Sequence, residues 1–249
     1  MNAVPLVEGL SERPGFVVTS DVPSALADGL AAGAFDVGLI PAIEVFRGNE
    51  YRIVPNIAIA CSGAAWTVKL FSRVPLERVR RVALDTSSRT SATLVRILLT
   101  ELYDVEPEYV NAASTDSITD ASATLVIGDP AMRRQPDGEA VLDLGEAWTT
   151  WTGLPFVFAV WAARPEAARD DVVEALTDAK ARGLREIEAI AEREGSRRGF
   201  PSDVCLTYLR DIISYDLKTE HLKGLRQYLE LARTHGLLGE GPDPEELLL

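Results

Sequence analysis

The sequence predicts an α/β protein, because short apolar strands alternate with helical segments through its first two-thirds. A second observation is that residues 81–99 combine an apolar run, a polar turn and apolar residues at helical spacing. A third is that polar turns follow the predicted strands at Ile40, Leu84 and Ile127. Ligands of parallel sheets bind beyond the carboxyl ends of the strands. We therefore predict mostly parallel sheets with one small-molecule site at these turns.

The elements of the first half follow from local patterns. Residues 17–19 are a β-branched run that predicts a strand, and Asp21, Pro23 and Ser24 are typical of a helix start. Gly33 is a suitable residue to end this helix. Further along, we predict a strand at 35–40, a short helix at 41–46, a hairpin or adjacent strands at 57–61 and 66–70, and a short helix at 75–79.

The second half continues the alternation and then becomes helical. The run FVFAVWAA at 156–163 is the most strand-like, because it is aromatic, β-branched and uncharged. Other predicted elements are strands at 108–110, 125–129 and 141–144 and a short helix at 146–151. From Pro165 the composition becomes charged, which predicts helices near 166–194, 202–215 and 219–235 and a frayed acidic tail from Glu240.

Composition and charge narrow the classes of function. The chain has 249 residues and a net charge of −13, which argues against a nucleic-acid partner. No apolar stretch is long enough for a membrane span and no secretory signal is visible, so we expect a cytoplasmic protein. Cys61 and Cys205 are predicted to be reduced thiols. Neither His221 nor His235 lies in a ligand cluster, so we expect no metal site.

The turn after Leu84 is unusually rich in hydroxyl groups. Serine and threonine cap helix starts, and the free N–H groups there also hold carboxylates or phosphates. One cap needs fewer hydroxyls than this turn has, so we predict an anion site, with an over-polar helix cap as the alternative. The hydroxyl residues are Thr86, Ser87, Ser88, Thr90 and Ser91.

Several motifs, taken together, resemble one enzyme family. They are NAVPL at 2–6, FDVGLIP at 35–41, DTSSRTS at 85–91, IGDPA at 127–131 and WTGLPFVFA at 151–159. In these motifs, their order and their spacing, nearly the whole chain resembles the chorismate dehydratases of the futalosine route to menaquinone. The hydroxyl-rich turn and the WTGLPFVFA run are the specific parts of this resemblance.

The resemblance implies a type II periplasmic-binding-protein-like fold, in which two α/β lobes close around a cleft. One lobe would contain 1–84 and 161–249, and the inserted lobe would contain 85–160. The implied reaction removes water from chorismate to give 3-[(1-carboxyvinyl)oxy]benzoate without a cofactor, and the oligomeric state stays open. Family members also carry a strand before the residue matched by Asn2, so either the start codon is placed too late, which we expect, or the protein lacks a central strand of one lobe.

The resemblance also assigns roles to residues. Asn2 and Ser88 are the expected catalytic residues, although Asn2 has the alternative of bridging a loop. Asn2 would hydrogen-bond the leaving hydroxyl or the ether side chain across the cleft. Arg89 is either a bidentate clamp or a solvated arginine. The expected substrate-binding residues are Thr86, Ser87, Arg89, Thr90 and Asp129.

The source of the base is a separate question. Asp129 and Glu44 are the acidic candidates at strand ends, and Asp129 has the alternative of capping the next helix. No histidine lies in the matched motifs. We hypothesise that the substrate's own side-chain carboxylate takes the ring proton while the protein fixes its pose.

Three alternative functions stay open at this point. A 1,4-dihydroxy-6-naphthoate synthase-like enzyme would share the fold, but we would expect a catalytic histidine, and residues 85–160 contain none. A non-catalytic small-anion-binding protein would usually carry a secretion signal or a lipid-anchor cysteine, and neither is visible. The third alternative is a degenerate chain without activity.

Overall fold

Two β-sheets and the helices that cover them form the protein. The computed structural model describes residues 1–48, 50–85, 87–112 and 120–249. Within these ranges the strands are β1 (Val37–Pro41), β2 (Arg52–Cys61), β3 (Val68–Ser72), β4 (Arg81–Asp85), β5 (Glu108–Ala112), β6 (Ala123–Ile127), β7 (Ala140–Asp143), β8 (Phe156–Ala163) and β9 (Ile213–Ser214).

The helices cover both sheets, and none within the described ranges is long and apolar enough to cross a bilayer. They are α1 (Pro23–Ala31), α2 (Arg89–Tyr103), α3 (Asp129–Arg133), α4 (Leu144–Thr152), α5 (Asp170–Arg185), α6 (Ile187–Arg198), α7 (Ser202–Thr207) and α8 (Thr219–Thr234). A π-helical turn, Tyr208–Ile212, follows α7 directly.

The sheets are less parallel than predicted. The first has the order β1-β8-β2-β9, and all its pairs are antiparallel. In the second, of order β5-β4-β6-β3-β7, β4 is parallel to both neighbours and β3 is antiparallel to both of its own. The prediction of mostly parallel sheets is therefore wrong. Two strands that follow each other in the sequence become parallel neighbours only when a crossover such as α2 joins them. Most neighbouring strands here come instead from distant parts of the chain.

The chain crosses from the first sheet to the second after β2 and returns before β8. The predicted hairpin is therefore wrong, because β2 and β3 belong to different sheets and 62–67 joins them. The expected lobe boundaries at 84/85 and 160/161 also differ from the membership of the sheets. Strands β3 and β4 already lie in the second sheet, and β8 lies in the first from Phe156 onward. A run of apolar residues predicts a strand but carries no sign of which sheet it joins.

Two terminal segments differ from the predictions. Residues 17–19 do not form a strand, and Val17 is 95% exposed because this segment joins neither sheet. The C-terminal tail is not frayed, because its leucines find apolar and backbone partners. Leu247 is buried, and the N–H of Leu249 donates to the carbonyl of Ile53 at 3.0 Å. The Arg226 guanidinium binds the Asp243 carboxylate beside this tail.

Buried aromatic rings hold the returning strand β8 in place. Trp148 of α4 packs edge-on against Phe156 with ring centroids 5.3 Å apart, and Tyr228 of α8 contacts the same phenyl ring at 5.1 Å. All three side chains are fully buried. Aromatic pairs of this kind add to the free energy gained from burial alone. They join the covering helices to the first sheet at the point where the chain enters it.

The buried Asp143 carboxylate ties the first crossing to the start of α4. Its Oδ1 accepts N–H bonds from Ala65 at 2.8 Å, Gly145 at 3.0 Å and Glu146 at 3.2 Å. Its Oδ2 accepts the N–H of Trp66 at 2.8 Å. Asp143 is thus the N-cap of α4 and also the anchor of the segment that joins the sheets.

We expect Asp143→Ala to lower the free energy of unfolding by about 2–4 kcal/mol, because a helix cap is lost and buried N–H groups lose their acceptor. Urea denaturation measures this loss. Asp137→Ala is the matched control, because Asp137 is exposed, and its effect should stay within about 0.5 kcal/mol. Equal stability of the two variants would contradict the anchoring role.

Candidate active site

A cavity of about 1240 Å³ lies between the two sheets. The first sheet lines it with Phe158 of β8, and the segment before β3 contributes Thr67. The hydroxyl-rich turn contributes Ser88, the N-terminal segment contributes Asn2, and the end of α6 contributes Arg198. Residues far apart in the sequence therefore converge on one cavity, as expected for a ligand site.

The turn between β4 and α2 is organised by its own side chains. The Asp85 carboxylate accepts the N–H of Ser87 at 2.9 Å and also the Ser87 hydroxyl. Ser88 is the N-cap of α2, and its Oγ lies 2.7 Å from the Oγ of Ser91. Ser87, Ser88 and Ser91 all line the cavity, so the same turn caps the helix and faces the cavity. Thr86 lies outside the described residues.

Two expected substrate-binding residues lie away from the cavity. Thr90 is fully buried, and its Oγ1 accepts the N–H of Ile43 at 3.3 Å. The Arg89 guanidinium binds Glu44 at 2.8 Å and Asp28 at 2.7 Å. Successive helical residues rotate by about 100°, so the two positions directly after Ser88 turn toward other parts of the protein, whereas Ser91 faces the cavity again.

Asp129 lies at the cavity as expected, but its carboxylate is already paired. Arg198 Nη1 donates to Asp129 Oδ2 at 2.6 Å, and the α-ammonium of Met1 lies 3.8 Å from Oδ1. Arg198 Nε also donates to Glu194 Oε2 at 2.9 Å, one turn earlier on α6. Glu194 is only 3% exposed, so this carboxylate depends on its arginine partner. The ion pairs fix Asp129 in one position at the cavity wall.

Glu44, the second acidic candidate, is not at the cavity. Its side chain is buried and lies between the guanidinium groups of Arg89 and Arg47, at 2.8 Å and 3.0 Å. The structure therefore assigns Glu44 to an internal ion-pair network.

Within the described ranges, no three Cys, His, Asp or Glu side chains come together as a metal site.

Asn2 and Thr67 both line the cavity, and a buried tyrosine lies behind Thr67. The Tyr208 hydroxyl lies 2.9 Å from Thr67 Oγ1. Tyr208 is 1% exposed, and this burial raises the pKa of its phenol, which stays protonated. Sequence reasoning missed Thr67, Tyr208 and Arg198. They follow no local motif, and only the fold brings Thr67 and Arg198 to the cavity and Tyr208 into contact with Thr67.

We expect Arg198→Gln to lower the free energy of unfolding by about 1–3 kcal/mol at pH 7, because the buried Glu194 carboxylate loses its closest partner. Urea denaturation measures the loss. The double variant Glu194→Gln/Arg198→Gln should recover part of it, because the unpaired charge is gone. A single variant as stable as the parent protein would show that this network contributes nothing.

The sequence of this chain is similar to those of known proteins. A family model described as menaquinone biosynthesis matches residues 1–234. A curated chorismate dehydratase of Thermus thermophilus is 31% identical over 236 residues, which cover 87% of this chain and 86% of that protein.

Solved structures agree on the fold. A protein of Archaeoglobus fulgidus superposes with a TM-score of 0.73 at 18% identity, with 95% of each chain covered. The periplasmic aliphatic sulphonate binding protein of Escherichia coli gives 0.66 at 17% identity, covering all of this chain and 89% of its own. The predicted periplasmic-binding-protein-like α/β fold is therefore confirmed. Because the family model matches nearly the full length of the chain, the chain belongs to the menaquinone-biosynthesis family.

Proposed function

We propose that this protein is a chorismate dehydratase, which eliminates water from chorismate to give 3-[(1-carboxyvinyl)oxy]benzoate. The observation that carries the proposal is that Ser88, from the start of α2, and Asn2, from the N-terminal segment, both line one cavity. The similarity to the Thermus chorismate dehydratase supports the same reaction.

The cavity suits the chemistry of chorismate, which carries two carboxylates, a ring hydroxyl and an enolpyruvyl ether. One carboxylate would bind at the start of α2, where Ser88 lines the cavity and the helix dipole favours an anion. The Ser88 hydroxyl would bind this carboxylate, because the Ser87 hydroxyl already donates to Asp85. The Asn2 carboxamide would hydrogen-bond the leaving hydroxyl or the ether side chain. This arrangement orients the substrate on two sides.

The elimination itself needs a base for the ring proton. Glu44 lies outside the cavity, and Asp129 accepts a 2.6 Å bond from Arg198. We therefore assign the base to the substrate's enolpyruvyl carboxylate. It takes the proton from the ring carbon, the electron pair of that C–H bond enters the ring, and the C–O bond to the ring hydroxyl breaks. The leaving hydroxide takes this proton from the carboxyl group and departs as water, which restores the carboxylate, and the ring becomes aromatic. The protein's contribution is orientation.

The proposal also covers the division of the protein into lobes, its location and its type of partner. A division that follows the sheets gives one lobe from 1–61 and 156–249 and another from 62–155, with the substrate between them. Cys61 and Cys205 are buried free thiols, which suits the reducing cytoplasm, where we place the enzyme. The net charge of −13 favours a small-molecule partner over a nucleic acid.

We expect the purified protein to consume chorismate and release an aromatic product, followed by absorbance and mass spectrometry. Asn2→Ala should lower kcat by about 10²-fold or more, because the substrate loses an orienting contact. Asn111→Ala, at an exposed position of β5, is the matched control and should keep the parent rate. A folded protein that binds chorismate without converting it would support a non-catalytic binding protein and overturn the proposal.

The assignment of the base has a kinetic test of its own. Asp129→Asn and Glu44→Gln should each keep most of kcat, because neither carboxylate takes the ring proton. A loss of about 10³-fold in kcat for either variant, with the fold intact by circular dichroism, would show that the protein supplies the base.

A further inference from the structure

A second hydroxyl, that of Ser91, lies behind the Ser88 hydroxyl, one turn later on α2. The two Oγ atoms are 2.7 Å apart, and Ser88 Oγ also accepts the backbone N–H of Ser91 at 3.4 Å. Both residues line the cavity, but Ser91 is only 1% exposed, whereas Ser88 is partly exposed. A ligand in the cavity therefore meets the Ser88 hydroxyl first.

Burial decides which of these two hydroxyls donates to the other. Each hydroxyl has one proton to donate and can accept two hydrogen bonds. Among the residues that the structure describes, Ser88 Oγ is the only hydrogen-bond partner of the Ser91 hydroxyl. If Ser88 donated, the buried Ser91 proton would have no acceptor, which is unfavourable. The Ser88 proton can reach a ligand or water in the cavity instead, so Ser91 is the donor.

This direction leaves Ser88 with one kind of contact to offer a ligand. Its two acceptor sites are filled by the N–H and the O–H of Ser91, and only its own proton remains for the cavity. We propose that Ser91 is a positioning residue that makes Ser88 a donor only, so that this end of the cavity selects a carboxylate over a group that needs an acceptor. The bond from Ser91 also polarises the Ser88 hydroxyl toward an anion.

This inference rests on the proposed dehydratase function, in which Ser88 binds a substrate carboxylate. We expect Ser91→Ala to weaken binding of 3-[(1-carboxyvinyl)oxy]benzoate about fivefold in calorimetric titration, because the Ser88 proton is no longer directed. The KM for chorismate should rise about as much while kcat stays within about twofold, because the carboxylate contact is equal in the ground state and the transition state.

A double-mutant cycle tests whether Ser91 acts through Ser88. In the Ser88→Ala background, Ser91→Ala should change the affinity for the same compound less than about 1.5-fold, because the hydroxyl that it directs is gone. Equal losses of affinity in the parent protein and in the Ser88→Ala background would overturn the proposal.

A buried serine away from the cavity supplies the matched control. Ser72 is fully buried, its hydroxyl donates to the carbonyl of Val74 at 2.7 Å, and it does not line the cavity. Ser72→Ala should lower the thermal midpoint about as much as Ser91→Ala but keep the parent affinity. A loss of affinity in Ser72→Ala as large as that in Ser91→Ala would show an effect of stability alone and refute the positioning role.

Neutron diffraction from deuterium-exchanged crystals tests the direction of the bond without any turnover. The Ser91 deuterium should point at Ser88 Oγ, and the Ser88 deuterium should point into the cavity. The reverse direction, with Ser88 donating to Ser91, would refute the inference even in a protein that converts chorismate. The expected direction in a protein that does not convert chorismate would support the donor-only serine and overturn the proposed function.

Discussion

The relative placement of the two sheets depends on the buried carboxylate of Asp143. The chain leaves the first sheet through 62–67, and the N–H groups of Ala65 and Trp66 bind this carboxylate. The same carboxylate caps α4, the helix from which the chain returns. Both crossings therefore share one anchor, and Thr67, which follows the anchored segment directly, lies at the cavity. A substitution that releases this anchor would disturb the fold and the site together.

The charged groups at the cavity explain how an acidic protein can bind an anionic substrate. A net charge of −13 repels a dicarboxylate, and Asp85 and Asp129 both line the cavity. Each of these carboxylates is already engaged, Asp85 by Ser87 and Asp129 by Arg198. In the proposed site, the Ser88 hydroxyl at the start of α2 would therefore bind the ligand without a free carboxylate competing for it.

Local patterns predicted the elements far better than their arrangement. The strand, turn and helix around Ser88 stand where the spacing placed them, because capping and amphipathicity are local properties. The strand predicted at 17–19 does not form, because a strand needs a neighbouring strand to pair with and this segment has none within the described ranges. Thr90 was expected beside Ser88, yet the helical rotation buries it. Tyr208 was beyond prediction, because its contact with Thr67 joins segments that only the complete fold brings together.

The central claim is that the cavity between the sheets is the dehydratase site. The most direct measurement is a crystal structure of the protein with 3-[(1-carboxyvinyl)oxy]benzoate bound. Our account predicts one carboxylate at the start of α2 within hydrogen-bond distance of Ser88, and the Asn2 carboxamide in contact with the same molecule. A ligand bound elsewhere, or in this cavity without either contact, would contradict it.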